Sequence, residues 1–326
     1  MGTRYRTIGL LAVLIAQAFT ITPGRQTVEQ SQSTLSPTGI KPVLLNVTVT
    51  NKAGEFVPGL KAGDFEVTID KKPATIESLS NADSPASVGI VIDLSPSMIG
   101  RSENVARKHF AVLREALGKF LKSGNQSNEY FLIGFTMKSD LLVDWTSDHS
   151  AMLEKIVGSP VSGTTALYDA IDVGVDKLRG GRHTKRSLII LSDGHDNHSK
   201  HSFRQTQELL KQTDLLLYSI YFPAEPEKRR AMAIEGLNIL EDFSSISGGR
   251  LFYAKDGIPL KPKDVNSAFE VIATELRSQY TLSIVPSDSN TDKKWRKLKV
   301  KLMAAPAVPR QLKGLSVRTR QGFYAN

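Results

Sequence analysis

Four short segments that are apolar almost from end to end constrain this chain of 326 residues more than any other feature. They are 88–93 (VGIVID), 130–135 (YFLIGF), 187–191 (SLIIL) and 215–221 (LLLYSIY). A strand with one face in water alternates apolar and polar residues, so a strand without alternation must be covered on both faces. The stretches between and after them supply the cover. Phe110, Leu113, Leu117, Phe120 and Leu121 fall on one side of a helix. Met232, Leu237, Leu240 and Phe243 mark a second helix that stops at Gly248-Gly249, and Val265, Phe269, Ile272 and Leu276 mark a third. The pattern predicts an α/β domain over residues 87–278, built on a doubly wound and mostly parallel sheet.

On either side of this region the grammar changes. Leu45, Val47 and Val49 alternate with polar residues, as do Phe65, Val67 and Ile69, and both runs end in turn-forming clusters (NKAG, DKKP). They define an N-terminal β segment, 42–80, with a short polar joint (NADSPA) after it. The segment 279–326 holds residues 280–285, then Leu298, Val300 and Leu302 alternating with Lys297, Lys299 and Lys301, then 315–319. A domain whose ends lie close together can be inserted in a host fold. The two β segments are therefore expected to pair in one discontinuous, sandwich-like unit. Lys293, Lys294, Arg296, Lys297, Lys299 and Lys301 would suit an acidic surface or nucleic acid, but alternation with Leu298 and Val300 reads as a solvated strand face, and no nucleic-acid partner is expected.

Arg4 and Arg6 precede an apolar run from Ile8 to Ile15 that closes with Ala16-Gln17-Ala18. A charged n-region, a short h-region and an A-x-A site predict a signal peptide over residues 1–18. The run falls well short of the roughly 20 apolar residues a membrane span requires, so no span should remain after cleavage. Residues 19–41, rich in Thr, Ser, Gln and Pro, read as a flexible linker. The expected location is secreted or periplasmic. The chain has no cysteine, which rules out disulfides, thiolate metal sites and cysteine nucleophiles.

The first apolar strand runs into Asp93-Leu94-Ser95-Pro96-Ser97, a D-x-S-x-S at its carboxyl end. In open α/β sheets ligands sit just outside those ends. Alternate residues of a loop leaving the strand turn one carboxylate and two hydroxyls to one side, and oxygen-only donors suit a hard cation such as Mg²⁺, Mn²⁺ or Ca²⁺. Farther on, Gly163-Thr164-Thr165 precedes an amphipathic helix and the third strand runs into Ser192-Asp193-Gly194. These bring another hydroxyl and a second carboxylate to the same rim. The alternative is that Asp93 and Ser97 cap a helix and Asp193 makes a turn.

With these three parts in this order, the region 87–278 resembles a von Willebrand factor type A domain with a metal-ion-dependent adhesion site. The resemblance implies a cation held directly by Ser95, Ser97 and Thr165, with Asp93 and Asp193 bound directly or through water. It also implies an open position for a carboxylate from a partner protein. Thr164 is the second candidate for the third loop, because the family's Gly-Gly-Thr is Gly-Thr-Thr here. The segments VTVTNKAGEFVPGLKAGDFEV, ELRSQYTLSIVPSD, KWRKLKVKL and VRTRQGFYAN resemble the flanks of a bacterial, acidobacterial subfamily of exported proteins related to that domain.

His195, Asp196, His198 and His201 crowd the loop after Asp193. They are candidates for a secondary metal site, set against a solvated polar loop, since neither H-E-x-x-H nor H-x-x-E-H is present. Catalysis is not expected: the chain lacks a G-x-S-x-G elbow, a P-loop and a dinucleotide fingerprint, and both rim carboxylates are committed to the metal, leaving no general base. The expected function is exported, metal-bridged adhesion to a protein. The alternatives are a structural envelope protein whose metal only ties loops together and a metal-dependent hydrolase.

Overall fold

The computed structural model describes residues 42–100, 102–157, 164–223, 230–254, 260–287, 292–303 and 314–325. The expected signal peptide, 1–18, and linker, 19–41, lie outside the described residues. The N-terminal β segment comprises β1 (Val43–Thr50), β2 (Phe65–Ile69), β3 (Lys72–Pro73) and β4 (Thr75–Ser80). The α/β region follows in the order β5 (Ala86–Asp93), α1 (Pro96–Ile99), α2 (Glu103–Ser123), β6 (Glu129–Phe135), β7 (Ser139–Thr146), α3 (His149–Val157), α4 (Leu167–Arg179), β8 (Lys185–Leu191), α5 (Phe203–Lys211), β9 (Leu216–Ile220), α6 (Arg230–Ser247), β10 (Leu251–Phe252) and α7 (Pro262–Ser278). The chain closes with β11 (Tyr280–Val285), β12 (Trp295–Leu302), β13 (Ser316–Arg318) and β14 (Gly322–Tyr324).

The four apolar segments become β5, β6, β8 and β9 of a six-stranded sheet ordered β10-β9-β8-β5-β6-β7. All neighbours run parallel except β7, which pairs antiparallel with β6. One face is covered by α2, α3 and α7, the other by α4, α5 and α6, and each face has its own apolar core. On α2 the buried residues include Phe110, Leu113, Leu117, Phe120 and Leu121, the face read from the spacing. Each such side chain contributes ~1.5–3 kcal/mol by leaving water. Ser102 accepts the Val105 N–H at 3.3 Å and starts the helix. At the end of α6, Gly248 takes φ +85°, the left-handed conformation that closes a helix at little cost to glycine. The doubly wound, mostly parallel α/β class expected from the sequence is the fold observed.

The flanking strands form two further sheets, β13-β1-β11-β4 and β14-β12-β2-β3, each joining N-terminal to C-terminal strands. In register, Leu45 faces Leu282 and Val300 faces Val67. Their inward side chains, with Val47, Tyr280, Ile284, Phe65, Leu298 and Phe323, make a third core between the sheets. Outward, Lys297, Lys299 and Lys301 stand exposed while Leu298 and Val300 are buried. Arg296 is tied to Asp70 and Asp292, and Lys294 to Asp292. Among the described residues no helix is long and apolar enough to cross a membrane.

Candidate metal centre

In this sheet β5 and β8 lie side by side, while the chain leaves β5 toward β6 on one flank and β8 toward β9 on the other. That reversal opens a crevice beyond the carboxyl ends of β5 and β8. The sequence places Asp93 at the end of β5 and Ser192-Asp193 just past the end of β8. The parallel register sets Asp93 opposite Phe135 at the end of β6.

Asp93 is fully buried. Its Oδ1 accepts the Ser95 N–H at 2.9 Å and its Oδ2 accepts the Ser192 hydroxyl at 2.9 Å. Ser95 precedes α1, whose first residue, Pro96, brings a φ already suited to a helix and turns the chain back so that Ser97 follows on the first turn. The Ser95 and Ser97 hydroxyl oxygens lie 3.1 Å apart. Burial, with the Asp193 carboxylate second, pushes the Asp93 carboxyl up to about 7. Hydrogen bonds from Ser95 and Ser192 oppose the shift, and none of these influences is a cationic side chain.

Asp193 is 4 % exposed, and its Oδ1 accepts the His195 N–H at 3.0 Å. The Ser192 hydroxyl that serves Asp93 also accepts the Gly194 N–H at 3.1 Å, so one serine joins the two carboxylate loops. Gly194 has φ +82°, and α6 passes directly over this turn at Gly236. A Cβ on Gly194 would stand 2.2 Å from the Gly236 carbonyl oxygen, and a Cβ on Gly236 2.0 Å from the Asp193 carbonyl oxygen. Only a glycine pair lets the backbones approach so closely, and α6 thereby fixes the height of the Asp193 loop.

Thr165 is buried and Thr164 is exposed. Thr165 donates its N–H to Asn197 Oδ1 at 2.9 Å and accepts the Asn197 and His198 N–H groups on its carbonyl at 3.0 and 3.1 Å. The next residue, Ala166, donates to the Thr136 carbonyl at 2.8 Å, and Leu94 donates to the Phe135 carbonyl at 2.8 Å. The loops after β5 and before α4 are thus both pinned to the end of β6.

The loop of His195, Asp196, His198 and His201, with Asn197, His198 and Lys200 exposed, also has a structural role. Ala166 offers α4 no side-chain cap, and residues of this loop take its place. Asp196 Oδ2 accepts the Tyr168 N–H at 3.0 Å, and the Ser199 hydroxyl accepts the Asp169 N–H at 3.1 Å. These satisfy amide groups that a helix start leaves without partners. In return, Asp169 accepts the Lys200 and His201 N–H groups at 3.0 Å and meets His201 Nδ1 at 2.7 Å. Burial pushes the Asp169 carboxyl up, but these three contacts outweigh it and hold its pKa below the usual value. The loop is a tether between the Asp193 turn and α4. Among the described residues no three His, Asp or Glu side chains converge as a metal site.

Sequence reasoning missed Ser192, Asn197 and Gly236. The first sits in the S-D-G run, where the serine beside the carboxylate was a readable signal. Nothing in the sequence marks the other two, because their roles depend on which loop crosses which.

The donors at the rim are carboxylate and hydroxyl oxygens, and burial disfavours two ionised carboxylates without a counter-charge. That set fits a hard divalent cation better than Zn²⁺ or Cu²⁺, which prefer nitrogen or sulfur.

Comparison with known proteins supports the same region. Residues 88–195 match the family model of the von Willebrand factor type A domain, a span that begins in β5 and ends two residues past Asp193. A protein of Borreliella burgdorferi described only as uncharacterized is 25% identical over 185 residues, covering 52% of this chain and 53% of that protein, so the chain spans about half the length of the curated relative it matches. Among solved structures, a von Willebrand factor type A protein from Catenulispora acidiphila is 10% identical with a TM-score of 0.48, covering 86% of this chain and 73% of that one. An aerotolerance-related membrane protein from Bacteroides fragilis is 14% identical with a TM-score of 0.45, covering 59% of this chain and 98% of that one.

Proposed function

This chain carries a von Willebrand factor type A domain, and on that premise we propose that Asp93, Ser95, Ser97, Thr165 and Asp193 hold a divalent cation through which the domain grips a protein partner. Domains of this family commonly mediate protein–protein interaction. The finer reading adds that the ion is Mg²⁺, with Mn²⁺ or Ca²⁺ able to replace it, and that the partner presents a carboxylate. It also takes the protein to be exported, secreted or periplasmic, in line with the signal-like residues 1–18 and the subfamily resemblance of the flanks.

The observation that carries this reading is the buried Asp93 carboxyl, raised by burial and by Asp193 and served only by neutral donors. When bound, the cation supplies a Lewis-acidic centre that accepts a carboxylate oxygen as a ligand. Two carboxylates from the chain nearly balance its charge, and the hydroxyls add oxygen donors without adding charge. The roles of Thr165 over Thr164 are supported by burial and by the Asn197 contacts, which position Thr165 and leave Thr164 exposed.

The tethering also favours binding over a purely stabilising metal. Protein hydrogen bonds already join the three loops, so a cation is not needed to tie them. A catalytic role is not part of the proposal, because both rim carboxylates are assigned to the ion.

The test is capture of proteins from envelope and extracellular fractions by the chain from residue 19 onward, in Mg²⁺, in EDTA, and with Asp93→Ala. Retention of a partner only by the unaltered chain in Mg²⁺ is the expected result. Equal capture in all three conditions would contradict a metal-bridged contact.

A further inference from the structure

At the opposite end of the sheet, between the α/β region and the flanking β sheets, lies a cavity of about 340 Å³. That is near the lower end of the size range of small-ligand pockets. One wall comes from the starts of β8 and β9, with Lys185, Arg186 and Asp214. The other comes from β1, β11 and the segment after β13, with Asn46, Thr281 and Arg320. Ser84, Thr184 and Asp214 at its edge are exposed, so solutes can reach it.

The charges in this lining do not balance. Asp214 is taken by Arg320, whose Nη2 also donates to the Leu44 carbonyl at 3.2 Å. Lys185 is buried and donates to the Leu276 carbonyl at 2.8 Å, with no carboxylate in contact among the described residues. The acid nearest to it in electrostatic terms, Asp83, is held by Arg277 at 2.8 Å. Arg186 is half-buried and has no side-chain hydrogen bond or ion pair among the described residues, and its Nε is buried without an acceptor. The Arg320 Nε is buried and unpartnered as well.

A guanidinium cannot escape such a position by losing its proton, as a lysine can. Buried donors without acceptors are costly, and the fork of an arginine matches a carboxylate or phosphate group. We propose that this seam cavity binds a small oxyanion, a carboxylate or phosphate group, with Arg186 as its principal ligand and Arg320 and Lys185 supplying the field around it. Exposed hydroxyl-bearing residues, Ser84 and Thr184, stand at the mouth to meet the remaining oxygens or the rest of a larger ligand. Because both walls contribute, the bound anion would fasten the flanking sheets to the α/β region. The site is independent of the metal centre, which lies beyond the other ends of the strands.

Calorimetric titration and thermal unfolding of the full chain test this, with inorganic phosphate and malonate as probes and chloride at matched ionic strength as the reference. Phosphate and malonate distinguish which oxyanion geometry the site prefers. The expected result is saturable binding of at least one probe with a rise in Tm beyond that in chloride. Arg186→Gln should weaken that binding about tenfold or more, and Arg186→Lys, which keeps the charge without the fork, should fall between. Lys299→Gln should bind as the unaltered chain does. A rise no larger than that in chloride, or one that both Arg186 variants retain in full, would overturn the proposal, since water would then be all that meets these donors.

Discussion

At the amino-terminal end of the sheet, Glu129 and Glu275 are each 3 % exposed, buried to the same degree as Asp93 (0 %) and Asp193 (4 %) at the carboxyl end. Glu129 accepts the Ser87 hydroxyl at 2.6 Å and the Arg182 Nε at 2.7 Å. Glu275 meets Arg250 at 3.3 Å and Arg318 at 2.5 Å, the latter reaching across from β13 in the flanking sheets. Asp93 and Asp193 meet N–H groups, hydroxyls and each other's field. Burial alone therefore does not decide what a carboxylate is for. Where an arginine neutralises it, the carboxylate holds elements of the fold together. Where only neutral donors serve it, as at Asp93, the carboxylate is left free for the cation proposed above.

Glu275→Gln should have the largest effect on stability, because it leaves Arg250 and Arg318 without a counter-charge at a buried position. A loss of about 3 kcal/mol is expected in urea unfolding. A loss below about 1 kcal/mol, the scale of an exposed pair, would mean that the seam does not depend on this pairing and that the contrast between the two ends is weaker than drawn.

The two ends should also answer pH in opposite directions. The folded Asp93 carboxyl titrates at about 7, above its ordinary 3.8. Between those values the folded chain keeps a proton that the unfolded chain has lost, so in EDTA this group's contribution is fully present below about pH 4 and is lost as pH rises through 7. For Glu129, burial pushes the pKa up but the Ser87 and Arg182 contacts bring it below the usual value, so its contribution is present above the ordinary carboxylate pKa and lost as pH falls. Urea midpoints across pH 4 to 8 in EDTA should therefore include a falling component of a few kcal/mol that Asp93→Asn removes and a saturating divalent cation suppresses. If the slope in that window is the same with Asn at position 93, the carboxyl end is not the source of it.

Asn197→Ala should have a smaller effect, about 1 kcal/mol in denaturant unfolding, for loss of the acceptor facing the Thr165 N–H. Its sharper consequence is on the cation, which should bind more weakly while the fold persists. Unchanged cation affinity would separate the Thr165 tether from the metal centre.

The parts of this architecture carried by continuous patterns were legible in the sequence. Both-face burial announced β5, β6, β8 and β9, and helical spacing announced the buried face of α2. β7 was not legible, because half-exposed SDLLVDWT on an edge with register shifts alternates imperfectly. β10, with two residues, and β14, with three, are too short to show a period. D-x-S-x-S and S-D-G were visible as motifs, yet the use of one serine, Ser192, by both carboxylate loops depends on β5 and β8 being neighbours. The loop from His195 to His201 drew attention through its histidines, but Asp196, Asn197 and Ser199 secure α4 and Thr165. Nothing in the sequence singles out Arg186, because its lack of a partner depends on the flanking sheets closing over it.

The central claim is that the carboxyl end of the sheet is a cation site. Its most direct test is calorimetric titration of Mg²⁺ and Mn²⁺ into the metal-stripped chain and into Asp93→Ala, with folding of both verified by circular dichroism. Saturable binding of one ion per chain that Asp93→Ala abolishes is the predicted result. No binding by the unaltered chain, or binding that survives in Asp93→Ala, would contradict the account.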